Sequence, residues 1–154
     1  MRNEDLKVIK KVANNVSDFE WHTLSSDNEY YKAIEFPVEA EENVNAFYSE
    51  IFSGITIVVG AYLSRFYYEE DKYSWEKKYY TAIVSTKTGK TNSIAFITSQ
   101  DIESQNRKNI FFKGSSILGI NDIDEENPIS KLYDSVNRKV NEIDDLYSKF
   151  LEEE

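Results

Sequence analysis

The sequence predicts a single-domain α+β fold: an antiparallel β-meander with an N-terminal helix, one internal helix and a long C-terminal helix packed on the sheet. Near both ends of the chain, apolar residues recur at three- and four-residue steps. In the middle, two β-prone runs are joined by a turn that contains glycine. The 154 residues, 40% of them hydrophobic, suffice to bury one core. Since no linker is visible, we expect one domain over 1–154, with 152–154 as a frayed tail.

The N-terminal helix is predicted from an apolar stripe over residues 6–16. Next, residues 19–24 and 30–36 contain many β-formers and are separated by a polar turn, so we interpret them as a β-hairpin. Pro37 then ends the second strand or places it at a sheet edge.

The stretch from residue 39 to 69 allows two interpretations. Apolar residues between Val44 and Phe52 lie at helical spacing after an acidic first turn, which favours a helix ending near Phe52. Gly54 then marks a break, and the β-branched run that begins at Ile55 predicts a strand to about Tyr68. Because the helical spacing can be traced further, one unbroken helix is the alternative.

The meander is clearest after residue 78. Residues 79–85 and 93–98 are β-prone and predict two antiparallel strands. A polar loop is expected over 100–108. Another strand is expected over 109–113, with a continuation to Leu118 left open.

The last helix begins with Asn127 as N-cap and Pro128 in the first turn. Its apolar stripe then repeats every 3.5 residues for three heptads, through Ile129, Tyr133, Val136, Val140, Ile143, Tyr147 and Phe150. We interpret this stripe as a helix laid across the sheet. The alternative is an oligomer seam for a homodimer, formed by Tyr133, Val136, Val140, Ile143 and Tyr147.

Charge and composition limit the kinds of partner. The chain has 18 Lys and Arg and 28 Asp and Glu, a net charge of −10, which disfavours direct nucleic-acid binding. The absence of cysteine excludes thiol and disulfide chemistry. The N-terminus has no apolar leader and the longest apolar run, 55–63, is too short to span a bilayer, so we expect a cytoplasmic protein with no membrane partner.

No motif identifies a reaction. His22 is the only histidine, which argues against a catalytic relay and a transition-metal site. Residues 121–126 resemble the start of a calcium loop but lack its glycine and its final glutamate. The Gly89-Lys90-Thr91 triplet lacks the upstream glycine of a phosphate-binding loop. We therefore expect no enzymatic activity, no cofactor and no metal.

The strongest non-random feature is a concentration of aromatic residues between Tyr62 and Tyr80. In a strand about half of them face solvent, and Tyr and Trp are common in interface hot spots. The alternative is ordinary cross-strand packing. The predicted partner-binding residues are Tyr67, Tyr68, Glu69, Glu70, Asp71, Tyr73, Trp75 and Tyr80.

These observations favour a non-enzymatic acidic binding protein that inhibits a partner protein stoichiometrically. By analogy of type, this is how toxin-immunity proteins and phage anti-defence proteins act, and the abundance of Lys, Asn, Ile and Tyr suggests a bacterial or phage genome. One alternative is a secretion or assembly chaperone that dimerises and holds a client. Another is a small-ligand-binding protein, which requires an enclosed pocket.

Overall fold

One antiparallel sheet of five strands, in the order β1-β2-β3-β4-β5, forms the centre of the protein. The computed structural model describes residues 3–113 and 127–152, the side chains of 107–113 and 144 excepted. The strands are β1 (His22–Thr23), β2 (Glu42–Phe52), β3 (Ile55–Glu69), β4 (Lys72–Ser85) and β5 (Asn92–Thr98). Consecutive strands are neighbours, so the predicted α+β meander is confirmed, as are the strands predicted over 55–68, 79–85 and 93–98.

Five helices accompany the sheet in the part of the chain that the structure describes. They are α1 (Asn3–Asn14), α2 (Glu29–Ala33), α3 (Ser99–Lys113), α4 (Pro128–Val140) and α5 (Ile143–Glu152), with a short 3-10 turn at Val16–Asp18. The predicted N-terminal helix is confirmed. Within the described ranges, no helix is both long and apolar enough to cross a membrane.

Both faces of the sheet are covered. On one face, α4 packs on β3 and α1 packs on α4, and Val12, Leu132 and Val136 of these helices share a buried cluster with Val59. On the other face, the segment from 24 to 40 covers the sheet with aromatic side chains, including Phe36. Strands buried on both faces read as continuous apolar runs, which is why β3 is so rich in β-branched residues.

The helix predicted up to Phe52 is wrong, and so is the unbroken helix that was its alternative, because this stretch is strand β2. Its apolar residues serve both faces of the sheet: Phe47 enters the core on the helix side, while Ala46 lies in the core on the other side. A strand that contributes to two cores can mimic the three- and four-residue spacing of a helix. Gly54, with φ 77°, forms the tight turn into β3.

The hairpin predicted over 19–24 and 30–36 is also wrong. The first strand is reduced to β1, which pairs with β2 at Thr23↔Phe47. The second region contains helix α2, because Asn28 caps it: its Oδ1 accepts a hydrogen bond from the Tyr30 amide at 2.9 Å.

The polar loop predicted over 100–108 and the strand over 109–113 are replaced by helix α3. Thr98 and Asp101 form a reciprocal cap, since each side chain accepts a hydrogen bond from the other residue's amide, at 3.1 and 2.9 Å. This Thr-x-x-Asp pattern was visible in the sequence and signals a helix start. The continuation to Leu118 and the acidic run at 121–126 lie outside the described residues.

The long C-terminal helix is two helices. The predicted start is confirmed: Asn127 Oδ1 accepts a hydrogen bond from the Ile129 amide at 3.1 Å, and Pro128 follows the cap. The helix ends at Val140 with Asn141 as its C-cap, and Glu142 adopts φ 54°, which redirects the chain into α5. Of the predicted frayed tail, Glu152 ends α5 and the last two residues lie outside the described range.

Candidate functional site

The candidate site is the distal part of the β3–β4 hairpin, which extends past the rest of the sheet. Pairing of β2 with β3 reaches only to Leu63, and pairing of β5 with β4 reaches only to Tyr80. The β3–β4 pairing continues without them to Glu69↔Lys72. Residues 64–76 therefore form a two-stranded ribbon that reaches about 20 Å beyond the sheet.

The face of the ribbon that continues the helix-covered side carries an aromatic ladder. Arg65 lies opposite Trp75, and Tyr67 lies opposite Tyr73. The ring centroids of Tyr67 and Tyr73 are 5.5 Å apart, and those of Tyr73 and Trp75 are 5.8 Å apart. The Arg65 guanidinium lies 5.2 Å from the Tyr73 centroid and 5.8 Å from the Trp75 centroid. Its Nε donates to Glu41 Oε2 at 2.6 Å, which holds the cation over the rings.

The opposite face and the tip of the ribbon carry exposed aromatic side chains and carboxylates. Phe66, opposite Ser74, is 57% exposed, and Tyr68 at the strand irregularity is 60% exposed. Glu76 lies diagonally from Phe66 on this face and accepts a hydrogen bond from Gln100 at 3.5 Å. The ribbon thus presents rings on both sides to solvent.

Most of the predicted partner-binding residues lie together on this ribbon and are exposed: Tyr67, Tyr68, Glu69, Glu70, Asp71, Tyr73 and Trp75. Tyr80 does not belong to it. Its ring is fully buried, stacked on Phe96 at 5.1 Å and edge-on to Phe36 at 5.3 Å. The difference arises because Tyr80 lies where β5 still covers β4. The predicted set had missed Arg65 and Phe66, although their place among the aromatics was visible.

A half-buried polar clamp anchors the base of the ribbon. Lys78 Nζ donates to Glu39 Oε2 at 2.7 Å, and the Tyr62 hydroxyl donates to Glu39 Oε1 at 2.8 Å. The hydrogen bond from Lys78 holds the pKa of the Glu39 carboxyl below its usual value. Burial, and then Glu39, raise the pKa of Tyr62 above the ordinary tyrosine value. The clamp ties the loop before β2 to β3 and β4 at the point where the ribbon starts.

Replacing Glu39 with glutamine is expected to lower the free energy of unfolding at neutral pH by about 1 kcal/mol, because Lys78 loses its counter-ion. The carboxyl has a lowered pKa in the folded state, so its contribution is present above the ordinary value of 4.5 and is lost as the pH falls through the folded pKa. Urea denaturation across this range should show the two proteins converging in acid. The exposed Glu35→Gln is the control, and a stability gap that persists in acid would contradict the clamp.

The residues of the predicted oligomer seam differ in exposure, because they lie on two separate helices. Tyr133 and Val136 are buried against the sheet, and the Tyr133 hydroxyl hydrogen-bonds to Asn45 on β2. Val140 packs partly on the same core. These residues are therefore unavailable for a partner, whereas Ile143 is half-buried and Tyr147 on α5 is exposed. The interpretation of the stripe as a helix laid on the sheet holds for α4 only.

Helix α5 carries its own exposed apolar surface. Leu146, Tyr147, Phe150 and Leu151 are between 57% and 74% exposed. A helix of 10 residues is marginal in water without tertiary contacts.

The described residues also include His22 and a cavity that His22 does not line. His22 lies at the surface on β1, with its Nε2 3.9 Å from Glu20 and its ring beside Tyr48. A cavity of about 220 Å³ between α1, α3 and α4 is lined by residues that include Lys10 and Lys131, and His22 is not among them. The described residues contain no cluster of three or more His, Asp or Glu side chains that could hold a metal.

Comparison of the chain with protein-family models, with curated proteins and with solved structures finds no match.

Proposed function

We propose that this chain is a non-enzymatic binding protein that captures a partner protein through the ribbon and inhibits it stoichiometrically. The single observation that carries the proposal is the exposure of aromatic side chains on both faces of a ribbon that covers none of the chain's own core. Within the fold, Phe66, Tyr67, Tyr68 and Trp75 leave much of their apolar area in water. A partner that encloses the ribbon removes this apolar area from water, which favours binding.

The chemistry of the ribbon suits a protein interface. Tyr, Trp and Arg dominate the residues whose truncation weakens binding most. The ladder of Tyr67, Tyr73 and Trp75 is held in place by ring contacts and by Arg65, so less side-chain freedom is lost on binding. A narrow ribbon with two exposed faces is suited to insertion into a cleft, which blocks that cleft.

Inhibition of the toxin-immunity or phage anti-defence type is the biological setting we propose, in the bacterial cytoplasm. It is supported by the net charge of −10, by the surface position of His22 beside Glu20 and Tyr48, and by an exposed ribbon that is separate from the core. Such inhibitors act by occupying a site and need no chemistry of their own.

The exposed face of α5 favours a second candidate, an assembly chaperone that dimerises. A second copy would cover Leu146 and Phe150 by an isologous contact, in which the same surface is used twice. Light scattering of the full chain separates the two candidates: a stable dimer supports the chaperone, and a monomer supports the inhibitor.

The ribbon proposal is tested by the triple variant Tyr68→Ala, Tyr73→Ala and Trp75→Ala. Affinity capture from cells that carry a candidate toxin or defence system should recover a partner with the wild type. Affinity for that partner should fall by about 100-fold or more in the variant, since three hot-spot side chains are removed. The fold should persist, because the ribbon lies outside the buried clusters.

The matched control is Val38→Ala, Phe52→Ala and Ile94→Ala, which truncates exposed apolar residues elsewhere. It should bind as the wild type does. Circular dichroism and urea denaturation check that both variants are folded, and Tyr68→Ala alone removes a ring that the ladder does not contact. Undiminished binding by the folded ribbon variant would refute the proposal.

A further inference from the structure

The cations of the ribbon and of its base all interact within the chain. The pairs are Arg65 with Glu41 (2.6 Å), Lys72 with Glu69 (3.4 Å), Lys78 with Glu39 (2.7 Å), and Lys77 above the rings of Tyr79 and Tyr133 (5.4 and 5.2 Å). Three of these cations are thus paired with carboxylates of the chain itself, and Lys77 lies over two rings.

The carboxylates are not balanced in the same way. Glu70, Asp71 and Glu76 make no ion pair with any residue that the structure describes. Glu70 and Asp71 lie at the tip, and Glu76 lies on the face that carries Phe66. The ribbon therefore presents rings flanked by uncompensated negative charge, and its complement is a cationic surface.

Arg65 shows which cation the rings accept. Its guanidinium lies over Tyr73 and Trp75 while a carboxylate, Glu41, holds its Nε. A planar guanidinium stacks on an aromatic face and still donates to a carboxylate, whereas an ammonium is a strongly hydrated point charge. The exposed rings of Phe66 and Tyr68, with Glu76 and Glu70 nearby in the ribbon, offer the same two partners to a further guanidinium.

We infer that the ribbon recognises a basic protein surface through arginine side chains, which stack on its exposed rings and pair with Glu70, Asp71 and Glu76. This inference rests on the proposed function and adds the chemistry of the partner. Arginine on the partner would repeat, between two molecules, the arrangement that Arg65 makes within this one. Shared charge alone does not predict a preference for arginine over lysine, so that preference is the distinguishing property.

Titration of the full chain with a hexaarginine peptide and with a hexalysine peptide tests the inference, with backbone amide NMR signals as the readout. The two peptides carry the same charge. Hexaarginine should bind about five-fold more tightly because guanidinium groups stack on the rings. Shifts should concentrate in residues 64–76. Equal affinities, or shifts spread over all acidic segments, would overturn the inference.

Neutralising the ribbon carboxylates with Glu70→Gln, Asp71→Gln and Glu76→Gln should weaken hexaarginine binding about ten-fold. The control variant, with the same change in charge, neutralises three exposed carboxylates off the ribbon: Glu20→Gln, Glu35→Gln and Glu50→Gln. It should weaken binding about two-fold or less, through net charge alone. Equal weakening by the two variants would mean that hexaarginine binding depends on net charge alone, which refutes the inference.

The two proposals fail separately. If partner capture still depends on Tyr68, Tyr73 and Trp75 while the peptides show no arginine preference, the partner chemistry is wrong and the proposed function stands. If capture is insensitive to those three residues, the proposed function is wrong whatever the peptides show.

Discussion

Replacing Gly60 with alanine is expected to destabilise the protein by about 3 kcal/mol, the upper part of the range for overpacking a core. A Cβ at this position would lie 2.6 Å from Tyr80 Oη, 2.8 Å from Tyr80 Cζ and 2.8 Å from the Asn45 carbonyl oxygen. The Tyr80 ring is held by Phe36 and Phe96, and the Asn45 carbonyl oxygen is part of the paired backbone of β2. Neither neighbour can retreat without disturbing the sheet.

Urea denaturation of Gly60→Ala, Tyr80→Phe and the double variant measures this effect. Tyr80 Oη is buried and has no hydrogen-bond partner among the described residues, so Tyr80→Phe alone should change stability by less than about 1 kcal/mol. In the Gly60→Ala background the same change removes one of the close contacts and should restore part of the loss. A Gly60→Ala protein as stable as the wild type would contradict the packing of Tyr80 over this strand.

Replacing Leu132 with alanine is expected to cost about 2–5 kcal/mol, the usual range for a fully buried leucine. Leu132 on α4 is fully buried in the core that includes Phe47 and Val59. The matched change, Leu146→Ala on α5, truncates a side chain that is 57% exposed. It should alter the free energy of unfolding by about 0.5 kcal/mol or less.

The comparison by urea denaturation tests how the C-terminal stripe is divided. In the sequence, Leu132 and Leu146 widen the same apolar stripe of one predicted helix. If that helix packed on the sheet along its whole length, both substitutions would be costly. Similar losses at the two positions would refute the break at Glu142.

Several elements could be predicted because local signals agreed with one another. At the last helix, the Asn127 cap and Pro128 coincide with the start of an apolar stripe, and α4 begins there. In β3, the break at Gly54 precedes a β-branched run that starts at Ile55. Such signals depend on a few neighbouring residues, so the chain shows them before it folds.

Other elements failed because their patterns depend on what covers them. β2 has the spacing of a helix only because Ala46 and Phe47 enter cores on opposite faces of the sheet. The polar composition of the segment that forms α3 favoured a loop, although the Thr98–Asp101 capping pattern is present in the sequence. The clamp between Glu39 and Lys78 joins residues far apart in the chain, so no local sequence pattern predicts it.

By itself, the sequence determined the fold class, the strands over 55–68, 79–85 and 93–98, and the aromatic concentration between Tyr62 and Tyr80. Only the tertiary structure decided which of those rings are available. Tyr80 and Trp75 both lie on β4, yet the first is buried and the second is 47% exposed. The physical reason is the unequal length of the strands. The pairing of β2 and β5 stops before the ribbon, so the same residue types are buried within the five-stranded sheet and exposed on the ribbon.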